Sequence, residues 1–219
     1  MTLKTADIRT ILRGNGKIIF ATRLSGVDSG SKLINTGIVD EIVQYNYTKI
    51  DLTVDTTNNT ITMTRVPDDS TTNNGVNIRT EDRMAMVGKV NIPGYVYTGD
   101  FSGCVFYLYK TGPSEVTGAH AYSGSQPLTT TTGPFWNRKK VINQVVREFG
   151  PRDYFTRNPG REICRHETRN EIDILAGETS LGFLSCVETN SATTFLYSVK
   201  GSKDGYDVVR FLREYTDAI

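Results

Sequence analysis

The chain has 219 residues, 37% apolar and 22% charged, with 25 basic side chains against 24 acidic. This balance excludes global disorder and gives no bulk electrostatic pull toward nucleic acid or an anionic membrane, so neither is expected as a partner. No apolar run approaches the roughly 20 residues of a membrane span. The three cysteines, 104, 164 and 186, are widely spaced and odd in number, so reduced thiols are expected rather than a disulfide framework. The length suits one domain, residues 1–219, in a monomeric chain. The first twenty residues carry scattered charges and lack the apolar stretch of a signal peptide. A cytoplasmic protein, or one secreted without a classical signal peptide, is the expectation.

In chain order, "TADIRTILR" at 5–13 has Ile8, Ile11 and Leu12 at helical spacing, with Thr5 as cap and Gly14 as stop. "KIIFATR" reads as a buried strand. In "KIDLTVDTTNNTITMTRV", Ile50, Leu52 and Val54 alternate with polar residues, "DTTNN" turns, and Ile61 and Met63 alternate again: a hairpin with one dry face. "DDSTTNNG" is a polar loop. "AMVGKVNI", "GCVFYLY" and "VTGAHAY" read as strands, the last two joined by the turn in "KTGPSE". Residues 123–134 read as a mobile loop, and this loop and the polar one at 67–78 are expected to rim the site. "WNRKKVINQVVREFG" reads as a helix with a stripe of Val141, Ile142, Val145, Val146 and Phe149, and "YDVVRFLREY" as a C-terminal helix. The charged segment 152–171 fits no element; "EIDILAG", "LGFLSCV" and "TFLYSV" return to strand. The fold class expected is α+β: helices around a mostly antiparallel sheet system.

One pair of residues carries possible chemistry. Cys104 follows a Gly at the start of a strand, and His120, one of only two histidines, lies on the next strand. A glycine permits the sharp bend that presents a cysteine, and it leaves backbone N–H groups to meet a developing oxyanion; Ser102 and Gly103 are the candidates for that support. A hairpin through "KTGPSE" brings Cys104 and His120 together at its open end, as thiolate chemistry requires. Cys186 copies the pattern without a histidine and reads as core. Cys164 and His166 alone are too few ligands for zinc and read as structural.

"T-G-D-F-S-G-C" followed by a histidine on the next strand resembles the active-site signature of the cytotoxic necrotizing factor family, which includes Burkholderia lethal factor and the chemotaxis receptor glutamine deamidase. Thr98 stands six positions before Cys104, as the third member does in the lethal-factor and chemotaxis branches; Phe101 replaces the family's usual Leu. The resemblance covers about 25 residues and implies a central β-sandwich with outer helices and long loops. It implies a Cys104–His120–Thr98 triad that deamidates a protein glutamine to glutamate without metal or organic cofactor. The implied substrate is a protein bearing the target glutamine, such as a host GTPase or a translation-initiation helicase, met in a host cytosol by a bacterial toxin or effector. Transglutamination by the same site stays open. So does a second class, a non-enzymatic β-rich binding or virion protein, which the Thr/Asn-rich hairpins fit equally well.

Overall fold

The computed structural model describes residues 2–20, 38–40, 43–67, 69–81, 84–132, 139–148, 160–168, 180–203 and 206–219, with 38–40, 124–132, 139–148 and 202–203 as backbone. Among these, one helix stands against sixteen strands. The expected α+β fold, a sandwich flanked by helices, is therefore wrong: the protein is mostly β, built from a closed eight-stranded barrel and a second sheet.

The barrel runs in the order β1 (Lys17–Phe20), β16 (Tyr206–Ala218), β15 (Ser191–Lys203), β14 (Ser180–Val187), β8 (Gly94–Phe101), β6 (Gly75–Ile78), β4 (Tyr47–Asp55) and β5 (Thr60–Arg65). It closes through a parallel pairing of β1 with β5, Ile18 opposite Ile61. Closure removes the exposed edges that an open sheet would present. The β4–β5 hairpin forms as its alternation requires: Leu52 faces Met63 and Val54 faces Ile61, and the Asp55 carboxylate accepts from the turn N–H groups of Thr57 and Asn58. Helix α1 (Thr5–Arg13) adds Ile8, Ile11 and Leu12 to the apolar cluster inside the barrel. Its cap position is Lys4 rather than Thr5, and the Thr5 hydroxyl donates to Glu188 instead.

The second sheet has the order β13 (Arg161–Glu167), β9 (Val105–Gly112), β10 (Glu115–Ala121), β7 (Ala85–Asn91), β3 (Val43–Tyr45) and β2 (Ile38–Asp40). One of its faces packs on the barrel wall, where Phe106, Leu108 and Val116 join Val76, Val96, Phe183 and Leu196 in a shared apolar layer. Two glycines set the spacing. Gly118 and Gly88 are cross-strand partners on β10 and β7. A Cβ on Gly118 would lie 2.5 Å from Val96 Cγ1, and one on Gly88 would lie 2.9 Å from Tyr47 Cβ. Only bare backbone lets the sheet sit this close to the barrel.

Both further expected helices are strands. Residues 139–148 form β12, which pairs along its length with β11 (Ser123–Thr132), the segment expected as a loop. Val141, Ile142, Val145 and Val146 are β-branched, as are the four threonines of β11, and that chemistry favours a strand over a helix. The C-terminal segment is β16. Its helix-like spacing arises from a bulge: Leu196 pairs with Arg213 and Tyr197 with Phe211, so Leu212 is an extra residue that reverses the alternation. Phe211 therefore packs toward the barrel interior, whereas Leu212 and Tyr215 pack into the interlayer. "EIDILAG" lies outside the described residues.

Gly118→Ala is expected to force the layers apart and lower stability by about 1–3 kcal/mol, the usual cost of overpacking. Chemical denaturation of the two proteins checks this. An unchanged midpoint means that the glycine pair does not set the spacing.

Candidate functional site

His120 stands on β10 and points into the layer between sheet and barrel. Its neighbours along the rung are Phe106 on β9 and Met86 on β7, both members of that layer. From the barrel wall, the Thr98 hydroxyl of β8 lies 2.9 Å from His120 Nδ1, and both residues are buried. Phe101 stacks on the imidazole at 3.8 Å between centroids and 21° between planes.

Thr98 and Phe101 are three positions apart, so a regular strand would turn them to opposite faces. A bulge changes that. Thr98 pairs with Phe183 and Phe101 with Leu181, so β8 carries one residue more than β14 between these rungs, and Asp100 takes a left-handed φ of 60°. Thr98 and Phe101 thus both reach His120, one as a hydrogen-bond partner and the other as a platform.

Cys104 follows in the bend between β8 and β9. Gly103 has φ 113°, a conformation that excludes a side chain without strain. The β9–β10 hairpin forms as expected, with Val105 opposite Ala121 and Phe106 opposite His120. Cys104 therefore lies one rung beyond the last pair, making His120 its diagonal neighbour, about 7–8 Å away between Cα atoms. The cysteine shares the interlayer cluster with Phe106, which puts it on the His120 side of the hairpin.

Thr168, which the sequence did not single out, holds the bend. Its hydroxyl accepts from the Gly103 N–H at 3.0 Å and donates to the Cys104 carbonyl at 2.8 Å; its own N–H reaches the same carbonyl at 3.3 Å. Gly103 was expected to lend its N–H to an oxyanion, but that group is directed inward at Thr168. Ser102 is exposed beside it. The 67–78 segment is divided between the site and a separate pocket: Ile78 is the cross-strand partner of Thr98. Its part from 75 to 78 is barrel strand β6, and Ser70, Thr71 and Asn73 line a pocket with Lys89, Asn91 and Glu115, at the turn end of β10, five residues from His120.

Burial pushes the His120 imidazole down to about 3, so it is neutral at physiological pH. In the tautomer that donates Nδ1–H to Thr98, Nε2 carries the lone pair that a general base needs. The other two thiols are buried as well. Cys186 lies inside the barrel, as its reading as core required, with its thiol pushed up to about 12 by burial first and nearby carboxylates after it. Cys164 is likewise held well above the usual thiol range, chiefly by burial. Comparisons with family models, curated proteins and solved structures found no match.

Limiting iodoacetamide near neutral pH is expected to modify Cys104 before Cys164 and Cys186, since Cys104 alone follows the Gly103 bend on the His120 side of the hairpin. Peptide mapping reads the order, and prior labelling of either other cysteine counts against the site.

The buried imidazole also predicts a pH dependence of stability. Above pH 6.5 both folded and unfolded chains hold neutral His120, which contributes no slope. Between 6.5 and about 3 the unfolded chain binds a proton that the folded one refuses, so stability falls with pH at about 1.4 kcal/mol per pH unit for this group. His166 is also lowered and adds to the fall. Denaturation from pH 7 to 4 should give a shallower decline for His120→Gln than for the natural chain.

Proposed function

We propose that the protein is a protein-glutamine deamidase whose nucleophile is Cys104, with His120 as general base and acid and Thr98 as the group that orients it. The observation that carries this reading is the Thr98 hydroxyl at 2.9 Å from His120 Nδ1, from a threonine six positions before the cysteine, where the necrotizing-factor-like signature has its third residue. The deamidase role itself rests on that resemblance, and the substrate on the same ground is a protein glutamine, with a host GTPase or a translation-initiation helicase as candidate targets.

The chemistry follows from a neutral imidazole. His120 Nε2 takes the Cys104 thiol proton as sulfur attacks the carboxamide carbon, so proton transfer and attack are coupled rather than starting from a standing ion pair. The C–N bond then breaks, and His120 returns the proton to the departing nitrogen, releasing ammonia and leaving a thioester on Cys104. Water, deprotonated by His120, attacks the thioester. Sulfur leaves and regains the proton, and the glutamine has become glutamate. An amine in place of water gives transglutamination at the same site. Thr98 holds the resting tautomer with Nε2 free to accept each proton, and Phe101 fixes the ring plane.

One observation favours the second reading, a non-enzymatic β-rich binding protein: Cys104 and His120 are both buried, at 8% and 3% exposure. A eukaryotic lysate treated with the natural protein and with Cys104→Ser, followed by peptide mass spectrometry, separates the two. Glutamines converted to glutamate only by the natural protein support the deamidase, and identical peptide sets favour the binding protein. Within the first outcome, Thr98→Val is expected to lower the rate about 10²-fold with little change in melting, because an orienting bond is lost. Thr98→Ser, which keeps the hydroxyl, should retain most of the rate.

A further inference from the structure

We propose that Cys164, His166 and Asp217 form a binding site for one zinc-class divalent cation, clamped between β13 and β16 with a fourth position for water. Cys164 and His166 are two apart on β13, so both point to one face, the interlayer. The third ligand comes from the barrel. Past the bulge at Leu212, Tyr215 and Asp217 turn toward β13, and Tyr215 stacks on the His166 ring at 3.8 Å between centroids. The sulfur, imidazole nitrogen and carboxylate oxygen all lie within 4.8 Å of one another.

The His166–Asp217 separation suits a metal better than a hydrogen bond. His166 Nε2 and Asp217 Oδ2 are 3.6 Å apart, too far for a hydrogen bond, and both atoms are buried with no hydrogen-bond partner. Ligands at zinc bond lengths in a tetrahedron stand about 3.3–3.6 Å from one another. A single cation thus meets two buried polar atoms that are otherwise unsatisfied, a costly condition in a folded chain. The donor set of thiolate, imidazole and carboxylate selects a borderline-soft ion over magnesium or calcium. Three protein ligands leave one tetrahedral position open, and the Asp217 side chain, 28% exposed, marks where water reaches it. Burial keeps His166 neutral and so able to coordinate, and binding must displace the Cys164 thiol proton. Cys164 and His166 alone are too few for zinc; the fold supplies the missing ligand from 51 positions beyond His166.

The test is independent of any deamidase activity. The full chain carrying Cys104→Ser is stripped with chelator and titrated with cobalt chloride, then with zinc chloride. One equivalent of cobalt with a thiolate-to-metal charge-transfer band, displaced by zinc, is expected, together with a higher melting temperature in zinc. Cys164→Ala should lose the band, and Asp217→Asn should weaken binding at least about tenfold. No thiolate band, or a band that survives Cys164→Ala, overturns the site. If Cys164→Ala does not fold, as circular dichroism shows, the near-isosteric Asp217→Asn decides, and unchanged affinity in that variant overturns the proposal.

Discussion

The close approach of the second sheet to the barrel is the constraint on which the rest depends. Gly88 and Gly118, opposed across β7 and β10, leave room for Tyr47, Ile78 and Val96 to reach the sheet backbone. Two residues beyond Gly118 along β10 stands His120, and two beyond Val96 along β8 stands Thr98, so the spacing that seats Gly118 on Val96 also closes the Thr98–His120 bond. The bond lies in an apolar layer, where a hydrogen bond is strong and an unmet polar group costly. The same dryness that strengthens it also keeps the imidazole neutral.

Bulges supply the second constraint. A barrel of plain alternation would have only inward and outward positions, with residues three apart on opposite faces. The extra residue near Asp100 brings Thr98 and Phe101 to one imidazole, and the extra residue at Leu212 turns Tyr215 and Asp217 toward His166. Each changes which side chains share a face without disturbing the pairing on either side.

These two features mark the boundary of what the sequence discloses. The β4–β5 hairpin was legible because strict alternation and a turn rich in Asp, Thr and Asn agree. Helix α1 was legible from Ile8, Ile11 and Leu12. The C-terminal strand was not, since a bulge in a two-residue period counterfeits a helical one, leaving Val208, Val209, Phe211, Leu212 and Tyr215 at helix-like intervals. β12 was misread because its apolar spacing suits both structures and only its β-branched content separates them. In the site, Cys104 and His120 were visible as a hairpin pair because their relation is local. Thr168 and Asp217 were not, since their contacts with the Cys104 bend and with Cys164 and His166 join segments more than fifty positions apart, and no local pattern records such a meeting.

Long-range meetings of this kind converge on one edge strand. On β13, His166 is opposite Phe106, which in turn is opposite His120, so the two histidines flank one phenylalanine on a single rung, about 10 Å apart at the usual strand spacing. Just past the strand, Thr168 ties the Cys104 carbonyl and the Gly103 N–H. The position of Cys104 is therefore fixed from two directions: through β9 and β10 toward His120, and through Thr168 from β13. Among the described residues, β13 pairs with β9 alone, and it also packs against β16. An edge strand with one ladder is the least constrained element of a sheet. The His166–Tyr215 stack, the approach of Asp217 and the packing of Cys164 in the interlayer hold this one against the barrel. The geometry around Cys104 thus rests partly on a junction between β13 and the last residues of β16, far from it in sequence.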